Sequence, residues 1–237
     1  MCGRYSLTLS AADLAERFDA AAPDDWEPRY NCAPGQELPV VADDDPGSFR
    51  RMRWGYTPPW ADESRDLINA RAETVDEKRA FAESFESRRC LVPADGFYEW
   101  SDHGGEKRPY RVAFGDDRAF AMAGIHAMWE PPTPGRQAGL GEWGGGDDAL
   151  GDDAADERIE AFAVLTTEPN DLIADLHHRM AVVLPRDREG DWLAGDLGTA
   201  DLLTPYPGGD MRFYPVSTRI NSPANDDPSL IEAQSTR

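Results

Sequence analysis

The sequence predicts an α+β fold in which a mostly antiparallel β core carries short peripheral helices. Short apolar or alternating runs, typical of strands, recur along the chain. Helical signals are few and scattered between these runs, without the regular alternation that βαβ units would require. A chain of 237 residues is long enough for one domain of moderate size, so we expect a single domain over residues 1–237.

Two capping boxes mark the better helical segments. Residues 10–13 form a weak box, and Leu14 and Phe18 follow it four apart on one face of the expected helix. A second box at residues 74–77 predicts a helix that runs to about residue 87. Two shorter helical turns are expected at residues 171–176 and 191–193.

Five runs predict strands, and one segment interrupts them. The runs are residues 90–92, 110–114, 119–125, 161–165 and 181–184. Residues 131–157 differ from the rest because they are acidic, rich in Gly and Pro and poor in aliphatic residues. Such a composition cannot bury enough apolar surface to order itself, so we expect a flexible surface insertion between two strands.

The chain is strongly acidic, with 24 basic against 45 acidic residues and a formal net charge of −21. Taken alone, this charge argues against a nucleic-acid partner because phosphates would be repelled. Proteins that work in molar salt have a similar acidic, lysine-poor composition, and there the Debye length is only about 3 Å. We therefore expect a salt-adapted protein in which the local pattern of contact residues decides binding.

Cysteine usage and hydropathy restrict the other possibilities. The three cysteines, Cys2, Cys32 and Cys90, form no CxxC pair, which argues against a disulfide framework or a zinc site. No run of about twenty apolar residues and no signal segment is present, so we expect a cytoplasmic protein without a membrane span.

Cys2 is the first candidate for chemistry. If Met1 is removed, Cys2 has a free α-amine and a thiol on adjacent carbons. The amine has an unperturbed pKa of about 8 and can condense with an aldehyde to give a Schiff base. The thiol can then close on the imine carbon to form a five-membered thiazolidine, provided that enough thiolate is available.

Three further polar residues are placed where they can serve such chemistry. Asn69 and Arg71 alternate along an extended segment and so point to one side, where they could hold an anionic substrate or satisfy backbone groups. Glu99 lies between two aromatic residues and is either a solvated strand residue or a general acid/base. His177 follows a short helix and is followed by His178, but no matching carboxylate or histidine spacing supports a metal site at this pair, so we expect none.

Two turn-rich segments complete the candidates. Asn31 precedes Pro34 in a segment that predicts a tight turn with the polar side chain held outward. Residues 54–60 contain two tryptophans around Gly and Pro-Pro, so Trp60 either plugs the core or stacks on bases.

Seven segments, in this order, resemble the SRAP family, the SOS-response-associated peptidase domain that senses and crosslinks abasic DNA. They cover most of the chain outside residues 131–157, and they are CGRY at the start, RYNCAPGQ, WGYTPPWA, INARAETVDEK, RRCLVPADGFYEW, TTEPNDLIADLHHRM and VSTRIN. The resemblance implies the SRAP fold and a covalent thiazolidine crosslink to abasic sites in single-stranded DNA, with no cofactor. It also implies removal of Met1, either by an aminopeptidase or by a self-processing peptidase activity of the protein's own site.

The resemblance also assigns roles to individual residues. Cys2 is the expected nucleophile, Asn69 orients the sugar, Glu99 transfers protons and His177 assists ring opening and crosslink reversal. The expected DNA contacts are Arg4, Asn31, Pro34, Trp60, Arg71, Arg79 and Arg179. The sequence departs from the family pattern at His178, usually acidic, and at Ala181, usually proline.

An arginine-lined face is the expected route for DNA across so acidic a protein. Its predicted members are close in sequence to the motifs, and they are Arg50, Arg51, Arg53, Arg71, Arg79, Arg88 and Arg89. We expect a monomer that associates with the nucleoid when it is bound to DNA. Two alternatives stay open: a cysteine peptidase that acts in trans through Cys2 and His177, and a non-covalent single-stranded DNA-binding protein.

Overall fold

The computed structural model describes residues 2–132, 158–195 and 199–235, and these form two packed β-sheets with short helices at their margins. The predicted α+β class with a mostly antiparallel core is confirmed. The strands are β1 Tyr5–Leu7, β2 Arg29–Cys32, β3 Glu37–Ala42, β4 Asp45–Trp54, β5 Asn69–Arg71, β6 Arg89–Ala94, β7 Gly96–His103, β8 Glu106–Phe114, β9 Phe120–Trp129, β10 Ile159–Thr167, β11 Met180–Ala181 and β12 Met211–Pro215. The α-helices are α1 Ala11–Phe18, α2 Ala82–Ser87, α3 Asp171–Ala174 and α4 Glu189–Ala194.

The larger sheet closes on itself. Its strands follow the order β10–β4–β3–β6–β9, and β9 pairs back onto β10, while β5 and β11 extend the two sides of β10. Pairing is antiparallel except where β4 and β5 run parallel to β10. Closure removes the exposed sheet edges that would otherwise pair with other chains.

The smaller sheet has the order β12–β8–β7–β1–β2, and it places the N-terminal strand β1 between β7 and β2. Aromatic rings join the two sheets in one core. The Trp54 ring lies 5.2 Å from the Tyr5 ring of β1 and stacks on Phe162 of β10 at 6.1 Å. Trp54 is therefore a core residue and not a ring that stacks on bases.

Helix prediction succeeded at the first box and failed at the second. The Ser10 hydroxyl accepts the Asp13 amide and caps α1, as expected. The predicted helix over 74–87 is wrong over most of its length, because a 3-10 turn spans Ala72–Thr74 and the α-helix begins only at Ala82. Val75 is buried and Phe81 packs on Tyr56, so core packing overrides the local helical signal.

Four of the five predicted strand segments are confirmed almost throughout, and the fifth is confirmed at one residue. The runs at 90–92, 110–114, 119–125 and 161–165 lie in β6, β8, β9 and β10, apart from residue 119, which precedes β9. At 181–184 only Ala181 is in a strand, and Val183 forms an isolated bridge to Met122. The expected insertion over 131–157 lies outside the described residues from 133 onward, and its flanks are the paired strands β9 and β10.

A buried ion pair ties β1 to β7 and β8. The Asp95 carboxylate accepts hydrogen bonds from the Ser6 hydroxyl at 2.6 Å, the Thr8 hydroxyl at 2.6 Å and the Arg111 guanidinium at 2.8 Å. Both side chains of the Asp95–Arg111 pair are at most 4 % exposed. Gly96 is required beside them, because a Cβ there would lie 2.6 Å from Arg111 Nε.

The C-terminal segment, residues 216–231, packs against the outer face of the smaller sheet. Val216, Ile220 and Leu230 form an apolar cluster with Tyr98 of β7. The Asn31 amide of β2 donates to the carbonyl oxygens of Ser222 at 3.0 Å and Asn225 at 2.8 Å. This segment therefore fixes the two strands that flank β1. Within the described residues, no helix is long and apolar enough to cross a membrane.

Asp95→Ala is expected to destabilise the protein by about 3–5 kcal/mol, because it leaves the buried Arg111 charge without its main partner. Denaturant unfolding at fixed salt measures this change. The matched control is Asp116→Ala, which removes a carboxylate from the exposed Arg118 pair and should change stability far less. Equal effects of the two substitutions would contradict the role given to the buried pair.

Candidate functional site

Cys2 lies inside the protein beside the start of β1. Its side chain is fully buried, and its Sγ faces the carbonyl oxygen of Arg4 at 3.9 Å. Burial, together with the nearby Glu99 carboxylate, raises the pKa of the Cys2 thiol to about 12. The thiol is therefore protonated at neutral pH and needs a base before it can act as a nucleophile.

Asn69 contacts the same residue from the other sheet. It begins β5, which runs parallel to β10 with Asn69 opposite Val164. The Asn69 Nδ2 donates a hydrogen bond to the Cys2 carbonyl oxygen at 2.9 Å. Its Oδ1 is buried and has no hydrogen-bond partner among the residues that the structure describes, which leaves an acceptor ready for a donor such as a sugar hydroxyl.

Glu99 is a buried carboxyl group in the middle of β7. Its side chain is 2 % exposed, and it lies close enough to Cys2 to raise the pKa of that thiol. Burial raises the pKa of Glu99 itself to about 7. A carboxyl group with this pKa is present in both protonation states at neutral pH and can therefore act as a base and as an acid.

His177 completes the cluster from the loop after α3. The Asn170 side chain caps α3 by accepting the Ile173 amide, and the His177 amide bonds to the Ile173 carbonyl oxygen. Nδ1 of His177 is 3.9 Å from a Glu99 carboxylate oxygen and accepts the Arg179 amide at 3.1 Å. Partial burial lowers the pKa of His177, so the ring is mainly neutral at pH 7.

The four residues expected to carry chemistry thus come from four separate places in the chain. A hydrogen bond links Asn69 to Cys2, the charge of Glu99 acts on the Cys2 thiol, and Glu99 lies 3.9 Å from His177. His178 lies outside this cluster; it is exposed and its ring packs on His177 at 4.3 Å. The cluster contains one thiol, one amide, one carboxyl group and one imidazole around a buried point.

The residues expected to contact DNA divide into exposed and buried ones. Pro34, Arg71 and Arg79 are exposed. Trp60 is 45 % exposed, and the Arg79 guanidinium lies 4.2 Å above its ring. Trp60 therefore offers a surface ring, in contrast to the buried Trp54.

The half-buried Arg4 and the buried Asn31 are instead engaged by other groups of the protein. Asn31 is fully buried, and its Oδ1 accepts the Arg4 guanidinium at 2.8 Å. The same guanidinium donates to the Ile220 carbonyl oxygen at 2.6 Å. This geometry contradicts the expectation of an outward Asn31 side chain, because its amide is used to hold the C-terminal segment.

Arg179 has an acidic partner, Glu73, that the sequence pattern did not indicate. Its guanidinium forms a two-point ion pair with the Glu73 carboxylate at 2.6 and 3.0 Å and also bonds to Thr166. This contact lowers the pKa of Glu73. Glu73 lies two residues from Arg71 on the segment that carries Asn69. This position close to a candidate site residue was the only indication in the sequence that Glu73 lies near the site.

Five of the seven arginines expected on one face are held by other side chains of the protein. On β4, Arg50 pairs with Asp44, Arg51 with Asp25 and Arg53 with Asp66. Arg88 pairs with Glu83, and Arg89 is buried against the rings of Phe85 and Trp192. Acidic neighbours neutralise these side chains because aspartate and glutamate are so abundant in the chain.

A different set of arginines has no carboxylate partner. Within the described part of the chain, no ion pair forms at Arg65, Arg71, Arg79, Arg108 or Arg186. Three of these five arginines belong to residues 57–79, the segment that also carries Trp60 and Asn69. Positive charge is therefore available next to the buried cluster despite the acidic composition.

Residues spaced closely enough to bind a metal ion lie outside the cluster around Cys2. Among the described residues, the group spaced closely enough to hold an ion consists of Asp43, Asp44 and His126. Asp43 is bonded to His126 at 3.2 Å, and Arg50 pairs with Asp44, so the group is already engaged in ion pairs and hydrogen bonds. His177 and His178 are not part of such a group.

Comparison with known proteins gives one consistent family. The chain is 35 % identical to the abasic site processing protein YoqW of Bacillus subtilis over 98 % of this chain and all of that protein. It is 27 % identical to the abasic site processing protein HMCES of Xenopus tropicalis over 98 % of this chain and 78 % of that protein. A solved structure of a Bacteroides thetaiotaomicron protein superposes with a TM-score of 0.81 at 25 % identity, covering 99 % of this chain and 100 % of that one.

The family model described as SOS response associated peptidase matches residues 1–223, which include all four residues of the buried cluster. With the full-length likeness to YoqW, this match is sufficient for assignment. The chain belongs to the SRAP family.

Proposed function

We propose that this protein captures abasic sites in single-stranded DNA through a covalent bond at Cys2 and shields them from strand cleavage. The observation that carries the proposal is the buried cluster in which Asn69, Glu99 and His177 surround Cys2. The names of the relatives YoqW and HMCES, both abasic site processing proteins, point to the same class of substrate.

The chemistry begins with release of the Cys2 α-amine. Removal of Met1, by an aminopeptidase or by the protein's own site, exposes this amine, and the description of the family as a peptidase is in keeping with the second route. The amine then attacks the aldehyde carbon of the open abasic sugar, and loss of water gives an iminium ion. Glu99, with a pKa of about 7, has the protonation behaviour needed to supply the proton that leaves with the water.

Ring closure follows from the same pair of groups. The Glu99 carboxylate accepts the thiol proton, the sulfur forms a bond to the iminium carbon, and the electron pair of the C=N bond returns to nitrogen. The product is a neutral thiazolidine. Burial raises the pKa of the Cys2 thiol, and the positive charge of the iminium lowers it again. In the proposed reaction the thiol therefore loses its proton readily only after the iminium has formed.

Asn69 and His177 orient the reacting groups. Asn69 fixes the Cys2 backbone and keeps its free Oδ1 for a hydroxyl of the sugar. Nδ1 of His177 lies 3.1 Å from both the amide nitrogen and the carbonyl oxygen of Arg179, and these two contacts fix the orientation of the ring. From this position it assists opening of the sugar ring and the reverse reaction.

DNA reaches the site along exposed groups on the 57–79 segment. Arg71 and Arg79 contact the backbone, Trp60 stacks on a base, and Pro34 borders the same surface. Arg179 joins the strand only by exchanging the Glu73 carboxylate for a phosphate. A single strand is favoured because the abasic sugar must turn inward to reach a fully buried Cys2, and a single strand has no paired partner that resists this turn.

The acidic charge fits this function in concentrated salt. Screening over about 3 Å at molar salt removes the repulsion from distant carboxylates and leaves the adjacent arginines to act. All four groups of the cluster come from one chain, and the proposed active form is a monomer. We place the protein in the cytoplasm, on the nucleoid while bound to DNA.

Replacing the nucleophile should separate the two covalent steps. Wild-type protein and an oligonucleotide with an aldehydic abasic site are expected to give a heat-stable adduct on a denaturing gel. Cys2→Ser keeps the α-amine but has no thiol, so its adduct should be detectable only after trapping with borohydride.

The matched control is Cys32→Ser, which alters a second fully buried cysteine and should preserve the heat-stable adduct. An undiminished heat-stable adduct in Cys2→Ser would refute the thiazolidine. Catalytic cleavage of added peptides, without consumption of the protein, would favour a peptidase that acts in trans.

The rate of crosslinking should depend on the ionisation of Glu99. Its carboxylate form is the base that accepts the thiol proton, so the single-turnover rate of ring closure, followed as appearance of the heat-stable adduct, should rise with pH through about 7. A second rise near pH 8 is expected from the α-amine, which reacts only when it is neutral.

Glu99→Gln should remove the inflection near 7, slow the reaction by about 10²–10⁴-fold and keep the inflection of the amine. Quenched-flow sampling between pH 5 and 9 would measure both. Retention of the lower inflection in Glu99→Gln would assign it to another group.

A further inference from the structure

The β7–β8 hairpin has two different faces. Phe97 and Glu99 lie on the face that joins the main core, and alternation along β7 puts Ser101 on the same side. Tyr98 and Trp100 lie on the opposite face and pack with the C-terminal segment. Between Glu99 and the tip of the hairpin, the face that carries Glu99 therefore presents further side chains on the side of the reactive cluster.

Arg108 lies on the Glu99 side of this hairpin. It is directly opposite Ser101, and Glu99 is opposite Tyr110, so Arg108 is the diagonal neighbour of Glu99. Such neighbours have Cβ atoms about 7–8 Å apart, within reach of a long side chain. Arg108 is half-buried, and no carboxylate of the described chain pairs with it.

The absence of an ion pair distinguishes Arg108 from most arginines of this chain. Asp and Glu outnumber Lys and Arg by 45 to 24, and the arginines of β4 each have an acidic partner. A half-buried guanidinium without such a partner next to the reactive cluster is suited to an anion supplied from outside. A phosphate fits because the guanidinium can bind two of its oxygens.

Arg71 lies beside the reactive cluster on the larger sheet, as Arg108 does on the smaller sheet. It lies two residues beyond Asn69 on β5, so the two side chains point the same way. Asn69 and Glu99 both approach Cys2, one from each sheet. The hairpin with Arg108 and the β5 segment with Arg71 therefore border the cluster from opposite sides.

We propose that Arg108 binds a backbone phosphate next to the abasic sugar, so that the strand is held between Arg108 and Arg71. This inference rests on the proposed function. It adds to the strand-binding surface a residue outside the 57–79 segment, placed on the same strand pair as the acid/base Glu99.

The first test is non-covalent binding of a single-stranded oligonucleotide that contains tetrahydrofuran, an abasic analogue without an aldehyde. Arg108→Gln should weaken binding about ten- to a hundred-fold, the range of a charge-assisted hydrogen bond. The slope of log K against log salt should also flatten by about 0.7, the value for one phosphate contact on a single strand. Circular dichroism at each salt concentration confirms that the variants are folded.

Two matched controls remove the same unit of charge. Lys107→Gln alters the neighbouring residue, which alternation places on the opposite face of the hairpin. Arg186→Gln alters another unpaired arginine, beside a cavity lined by Phe114, six residues and about 20 Å along β8 from Arg108. Both controls should retain the wild-type slope, and Arg108→Lys should restore the slope with part of the affinity.

The second test locates the phosphate. Neutral methylphosphonates replace the phosphates around the tetrahydrofuran one at a time. One position should weaken wild-type binding as much as Arg108→Gln does, and should have no effect in that variant.

Equal effects of Arg108→Gln and the two controls, or additive effects of Arg108→Gln at every methylphosphonate position, would overturn the inference. Its failure is distinguishable from failure of the proposed function. In that second case, wild-type protein would form no adduct with the aldehydic oligonucleotide.

Discussion

The structure depends on holding an N-terminal residue still inside a protein. Chain ends usually fray, yet Cys2 can react in a defined geometry only if the three residues of β1 are fixed. The fold achieves this by placing β1 between β7 and β2 rather than at a sheet edge. The Asp95–Arg111 pair then secures its far end, and Arg4 with Asn31 secures its near end.

The same burial sets the chemistry of the site. Removal from water raises the pKa of the Cys2 thiol to about 12 and the pKa of Glu99 to about 7. One effect keeps the nucleophile inactive, and the other prepares a carboxyl group for proton transfer at neutral pH. In the proposed reaction, the thiol therefore stays unreactive until the iminium forms and places a positive charge beside it. Such an arrangement suits a protein that reacts once and must not react with other aldehydes beforehand.

Much of the fold and the cluster could be predicted from sequence, but electrostatic pairing could not. Local patterns located β8, β9 and β10, and the motifs contained Cys2, Asn69, Glu99 and His177. The helix at 74–87 failed because burial of Val75 and Phe81 is a tertiary effect. The arginine face failed for a related reason: sequence proximity does not show that Asp25 and Asp66 reach Arg51 and Arg53 across the fold. Arg108 was missed because only strand register places it beside Glu99.

Peptide mass spectrometry of the digested adduct can establish whether the bond to DNA is a thiazolidine at Cys2. If it is, Met1 is absent and the sugar remnant is attached to the peptide beginning at Cys2. The mass of the adduct then equals the sum of both partners less one water, and borohydride leaves it unchanged because no imine remains. A remnant on any other residue, retention of Met1 on the crosslinked peptide, or a gain of two hydrogens on reduction would contradict it.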